Sequence, residues 1–248
     1  MSDLSSSTTI VVRASRGLGR GIAVAFADAG APVVAVARTG PALAELAGAS
    51  PNITTEVADA ADPAAAWSLL DHYEPRVLIL VAGANPVMRP LQHQTWETFS
   101  VNWHTDVKIA FTWLREALLQ PLQPGSSVVV ISSGAAINGS PASGGYAGSK
   151  ATQRFIAGYA QEESRRAGLG ITVTAVMPRM TPFGDVGRRG VRAYAARSGQ
   201  TDEAYLEQLG EVLTPERAGS ALVELIRADP ASTAPGYLLT GAGLQKLP

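Results

Sequence analysis

Ser133, Tyr146 and Lys150 are the residues whose types and spacing could do chemistry, with Tyr146 thirteen positions after Ser133 and Lys150 four after Tyr146. If Tyr146 opens a helix, the i, i+4 spacing puts its phenol and the Lys150 ammonium on one face. A phenol with a pKa near ~10 is a poor acid or base at neutral pH, and a cation a few ångströms away favours the phenolate and pulls that value down. Tyr146 could then act in either direction. Just upstream, residues 128–131 are a short β-branched apolar run, read as a buried strand with Ser132 and Ser133 at its carboxyl end. Open α/β sheets bind their ligands at that end.

The elements that must position these residues alternate along the chain. Short β-rich runs at residues 10–12, 33–37, 53–58, 77–82, 128–131, 171–177 and 237–239 read as seven parallel strands. Between them, residues 18–29, 41–47, 63–72, 96–119, 146–167 and 215–228 carry helical spacing, with Asp62-Pro63 and Thr214-Pro215 as helix starts. The alternation predicts an α/β, Rossmann-type doubly wound parallel sheet with helices on both faces. One domain over 9–248 follows a flexible stretch at 1–8. Residues 180–210, with five glycines and four arginines, read as an irregular, mobile substrate lid above the carboxyl edge of the sheet. Its residues Met180, Phe183, Val186, Tyr194 and Tyr205 suggest a partly apolar pocket, and its arginines a solvated face.

Bulk properties exclude several function classes. A chain of 248 residues, 46% hydrophobic, can bury a large core. A net charge of -1 offers no basic stripe, so nucleic acid is not an expected partner. Zero cysteines rule out disulfides and thiolate chemistry and fit a reducing compartment. Residues 1–9 do not form a secretory signal and no apolar run approaches ~18 residues, so a cytoplasmic protein away from membranes is expected. His72, His93 and His104 show no metal-ligand spacing, and no metal is expected; His93 lies nearest the presumed mouth of the site.

The first strand is followed by Arg13-Ala14-Ser15-Arg16-Gly17-Leu18-Gly19, opening a helix. Gly17 and Gly19 would let backbone amides approach a pyrophosphate. The second strand ends at Ala37-Arg38, where dinucleotide folds that choose NAD place an acid for the ribose 2'-hydroxyl. Arg38 and Arg16 could instead clamp a 2'-phosphate, which points to NADP(H).

With these residues in view, the chain resembles a classical, single-domain short-chain dehydrogenase/reductase over essentially its whole length. The family's Ser and Tyr-x-x-x-Lys pattern falls on Ser133, Tyr146 and Lys150, its helix asparagine on Asn102, and its adenine-contacting aspartate on Asp59. Residues 235–243 resemble its final strand. Three places depart. Arg13 replaces the first glycine of the cofactor loop, Leu80-Val81-Ala82-Gly83 keeps only the last two residues of Asn-Asn-Ala-Gly, and Pro178-Arg179 stands for Pro-Gly. The resemblance implies hydride transfer between a nicotinamide and a ketone or secondary alcohol. Tyr146 would be the general acid/base, Ser133 a hydrogen-bond donor to the reacting oxygen, Lys150 a holder of the nicotinamide ribose, and Asn102 a proton-relay residue. The cofactor would be lined by Arg13, Ser15, Arg16, Gly17, Leu18, Gly19, Arg38, Asp59, Ala82, Gly83, Tyr146, Lys150, Pro178 and Arg179.

Arg13 is expected to fold outward onto the 2'-phosphate; the alternative is that Arg13 and Arg179 crowd the site, leaving a cofactor-binding pseudoenzyme or sensor. A redox-neutral lyase on the same fold is the third reading. The family resemblance also implies homodimers or homotetramers through the helices at 96–119 and 146–167. Trp103, Phe111 and Trp113 are expected to serve packing, including an interface between subunits.

Overall fold

An apolar β-branched run that is buried at every position has to be covered on both faces, and residues 10–12, 33–37 and 77–80 are of this kind. The computed structural model, which describes residues 4–247, places them at the centre of one sheet. Its strands are β1 (Thr9–Val12), β2 (Val33–Ala37), β3 (Ile53–Val57), β4 (Val77–Leu80), β5 (Ser127–Ile131), β6 (Thr172–Pro178), β7 (Gly236–Thr240) and β8 (Gly243–Leu247). They run in the order β3-β2-β1-β4-β5-β6-β7-β8. All neighbours are parallel except the last pair, where Thr240 faces Gly243 and Gly236 faces Leu247 in an antiparallel hairpin. The expected seven parallel strands are therefore joined by an eighth, antiparallel one. None of its residues is fully buried, so it carries little of the apolar signal by which the others are read.

Successive residues of each strand point to opposite faces. Val11, Ala35, Ile79 and Val129 join one core with Phe26 of α1 (Gly17–Asp28) and Leu222 of α10 (Pro215–Arg227). Ile10, Val12, Leu78 and Leu80 join the other, with Leu69 of α3 (Pro63–Tyr73) and Trp113 of α5 (Lys108–Leu119). Asp62 and Thr214 cap α3 and α10, accepting from Ala64 N at 3.0 Å and Arg217 N at 3.1 Å. Trp113, expected to serve packing, is fully buried and donates to Ala60 O at 2.9 Å. Of the stretch expected to be flexible, residues 1–3 lie outside the described residues, whereas Leu4 is buried in the first core.

Two elements differ from the expected pattern. The helical stretch at 96–119 is split into α4 (Trp96–Asn102), a π-helical turn (Trp103–Val107) and α5. Residues 180–210 are mostly regular, forming α8 (Asp185–Arg197) and α9 (Asp202–Leu209). Gly187 and Gly190, which read as breakers, sit buried inside α8, and a Cβ on Gly187 would lie 1.7 Å from Thr181 O. Close packing, not chain flexibility, accounts for these two glycines.

Candidate active site

Tyr146 lies in the first turn of α7 (Gly144–Arg166), so helix geometry alone stacks it against Lys150 one turn on. Two contacts fix this helix start. A Cβ on Gly145 would lie 1.9 Å from Phe99 O, so α7 can cross α4 this closely only with glycine there. Ser132 Oγ donates to Lys150 O at 2.7 Å, tying α7 to the end of β5. Ser133 follows, its hydroxyl accepting from Ala135 N at 3.2 Å and lying close enough to the Tyr146 phenol to favour the phenolate.

Lys150 is 2% exposed, with its Nζ 5.5 Å from the centroid of the Tyr146 ring. Its ammonium donates to Ala82 O and, at 2.8 Å, to Gln153 Oε1, and pairs with Asp106 Oδ2 at 3.5 Å. Asp106 is fully buried in the π-helical turn. Its Oδ1 accepts from Ala84 N at 2.7 Å and its Oδ2 from Asn102 Nδ2 at 3.3 Å. Asn102 Nδ2 also donates to Ala84 O at 2.9 Å, so this side chain clamps the loop after β4. Neither Asp106 nor Gln153 was singled out from sequence. Their signal, an acid and an amide on otherwise core-facing helix positions, becomes readable only once the helix faces are known.

The electrostatics differ from the sequence expectation. Burial pushes the Tyr146 phenol up to about 12; the Ser133 hydroxyl opposes this and the negative charge of Asp106 adds to it. Burial also lowers the Lys150 pKa, against the pull of Asp106. Burial, with the Asp106 charge adding to it, outweighs the depression of Tyr146 expected from a neighbouring cation.

The phenol opens on a cleft of about 900 Å³ at the carboxyl edge of the sheet. Every residue singled out for the cofactor lines it, from Arg13, Ser15, Arg16, Gly17, Leu18 and Gly19 through Arg38, Asp59, Ala82 and Gly83 to Pro178 and Arg179. Asn102 does not line it, and neither does His93, which is exposed. Met180, Phe183, Val186, Tyr194 and Tyr205 form part of its wall, where Tyr194 and Ser140 share a hydrogen bond.

Arg13 also differs from the expectation. It adopts φ 63, a left-handed conformation that costs a non-glycine residue roughly 1 kcal/mol. Its guanidinium turns inward rather than outward, donating to Gly83 O at 3.1 Å. Arg16 pairs with Asp185 Oδ2 at 3.4 Å, whereas Arg38 is exposed at the end of β2. Gly17, with φ 54 and open space at its Cβ position, leaves the start of α1 approachable by an anion. Among the described residues no three His, Asp or Glu side chains form a metal-binding group, and no helix is long and apolar enough to cross a membrane.

Residues 7–189 match the family described as short chain dehydrogenase. The chain is 30% identical over 198 residues to a chloroplastic NADPH-dependent aldehyde reductase 2 of Arabidopsis thaliana, covering 71% of this chain and 72% of that one. It is 28% identical over 156 residues to L-xylulose reductase of Mesocricetus auratus, covering 63% and 58%. A crystal structure of NAD+-bound xylitol dehydrogenase shares the fold with a TM-score of 0.82 at 17% identity, covering 97% of this chain and all of that one.

Proposed function

The chain belongs to the short-chain dehydrogenase family, and from that premise we propose that it is an NADP(H)-dependent carbonyl reductase acting on a ketone/secondary alcohol pair. The observation that carries the dinucleotide preference is the placing of Arg16 and Arg38 in the cleft wall, on the loops after β1 and β2, with no acid directly after β2. Such a pair suits a 2'-phosphate and not a bare ribose hydroxyl.

The residues present fit a nicotinamide dinucleotide. The open start of α1 at Gly17 would take the pyrophosphate, Arg38 and Arg16 the 2'-phosphate, Asp59 the adenine, and Lys150 the nicotinamide ribose. When bound, that group supplies the hydride. The protein supplies position and a proton: Ser133 and Tyr146 present two hydroxyls to one carbonyl oxygen, and Tyr146 donates its proton as negative charge develops there. The wall formed by Phe183, Tyr194 and Tyr205 favours a moderately apolar substrate. NADPH consumption across a panel of ketones and aldehydes tests the reading; oxidation of NADPH by no member of the panel would sink it. The second reading, a non-catalytic or redox-neutral protein on this fold, is favoured by one observation, the Arg13 guanidinium lying across the cleft to Gly83 O.

We further propose a cytoplasmic homo-oligomer, a dimer or tetramer. Phe111 on α5 and Phe155 and Tyr159 on α7 are 55%, 61% and 60% exposed, and a second copy would cover them. A monomer by light scattering at micromolar concentration would contradict this.

A further inference from the structure

Asp106 is a carboxylate with no access to solvent, and each of its polar atoms is used. Besides the contacts of its two carboxylate oxygens, its backbone carbonyl accepts from Gln153 Nε2 at 2.8 Å, while Gln153 Oε1 accepts from Lys150 at 2.8 Å. The result is a closed ring running from Lys150 through Gln153 and the Asp106 main chain to the Asp106 carboxylate and back to Lys150. The π-helical turn brings Asp106 to the same buried side as Asn102. Removing one member of a buried ion pair is costly, so such a pair persists only where its geometry is closed in this way.

We infer that Asp106 is a positioning residue for proton transfer: by neutralising Lys150 inside the site it keeps Tyr146 as the protonated phenol, the form that donates to a carbonyl rather than the form that withdraws a proton from an alcohol. This deepens the reductase reading and rests on it for its meaning. The argument is a count of charge. With Asp106 ionised, Lys150 and Arg13 charged and Tyr146 protonated, the cluster carries one positive charge, and losing one proton leaves it neutral. Without the carboxylate the cluster begins with two positive charges, which favours release of a proton from a buried site more strongly, so the loss occurs at lower pH. The sign is the same whichever of Tyr146 and Lys150 releases the proton, because the two titrate as a pair.

The charged or titratable groups facing Asp106 are Tyr146 and Lys150 from α7 and Arg13 from the loop after β1. Arg13 is held at Gly83 O, and its charge opposes protonation of Lys150. Asp106→Asn leaves that contribution in place, so the change in titration reports the carboxylate.

The test needs neither substrate nor dinucleotide. Tyrosinate absorbance is followed against pH in the wild-type protein, in Asp106→Asn, and in each with Tyr146→Phe, the difference isolating Tyr146 from the other five tyrosines. In the wild type, Tyr146 is expected to contribute no tyrosinate below about pH 10. In Asp106→Asn, a Tyr146-dependent transition is expected at least one pH unit lower. A wild-type Tyr146 that ionises near neutrality overturns the inference even if Asp106→Asn does not fold. A folded Asp106→Asn protein with an unchanged transition overturns it as well. Since the readout is ionisation alone, failure of the reductase reading would show separately, as absent NADPH oxidation.

Discussion

Lys150 and Arg16 are both cations at the carboxyl edge of one sheet, and they are held in opposite ways. Lys150 is 2% exposed and surrounded by fixed acceptors from the loop after β4, the π-helical turn and its own helix. The Arg16 side chain is 69% exposed, and it pairs with Asp185, at the start of a lid helix. Reaction needs a few groups held to within fractions of an ångström, which burial and a closed hydrogen-bond ring provide. Dinucleotide discrimination needs charge in reach of a phosphate, which solvated arginines provide without a fixed resting geometry. Changes at the catalytic end should therefore act almost all-or-none, and changes at the dinucleotide end should be graded.

The largest expected effect is that of Tyr146→Phe, which removes the proton donor and leaves the fold. Turnover is expected to fall by about 10²–10⁴-fold, with NADPH affinity unchanged within about twofold, by steady-state kinetics and calorimetry. Substantial residual turnover would break the assignment of the proton to this phenol.

Next comes the buried pair. Lys150→Met alone strands the Asp106 carboxylate and is expected to destabilise by about 3–5 kcal/mol in denaturant melts. Lys150→Met with Asp106→Leu is expected to recover most of that loss, since no unpaired charge is left behind. If the double variant is no more stable than the single one, the pair is not the source of the cost.

At the dinucleotide end, Arg38→Ala is expected to reduce the preference for NADPH over NADH about tenfold, as suits loss of a hydrogen bond to a charged group. Arg13→Gly is expected to leave that preference within about twofold, because its guanidinium is committed to Gly83 O. The reverse ranking would place the selectivity in Arg13. The smallest effect is expected for Asp185→Asn. The Arg16 to Asp185 pair lies in solvent, and stability should change by less than about 1 kcal/mol in thermal melts.

The same contrast explains what could be read from sequence. Strand positions such as residues 10–12 and 128–131 were legible because a strand covered on both faces must be apolar throughout. The spacing of Tyr146 and Lys150 was legible because helix geometry is local. β8 was not, since its residues are partly or fully exposed and it alternates weakly. The helices at 185–197 and 202–209 were hidden by glycines whose role is close packing. Asp106 was hidden because the burial of a carboxylate is a property of three elements meeting, and no single stretch records it. The direction of Arg13 follows from a left-handed backbone and a nearby carbonyl, and neither is visible in a residue type.

The central claim is that a site with its catalytic groups in place still binds a dinucleotide through a loop in which arginine stands where a glycine would be expected. The most direct measurement is calorimetric titration of the purified protein with NADPH and with NADH. The account predicts micromolar binding of NADPH and binding of NADH at least about tenfold weaker, the difference expected for charge-assisted hydrogen bonds to one phosphate. Equal affinities would contradict the arginine assignment, and binding of neither would contradict the reductase itself.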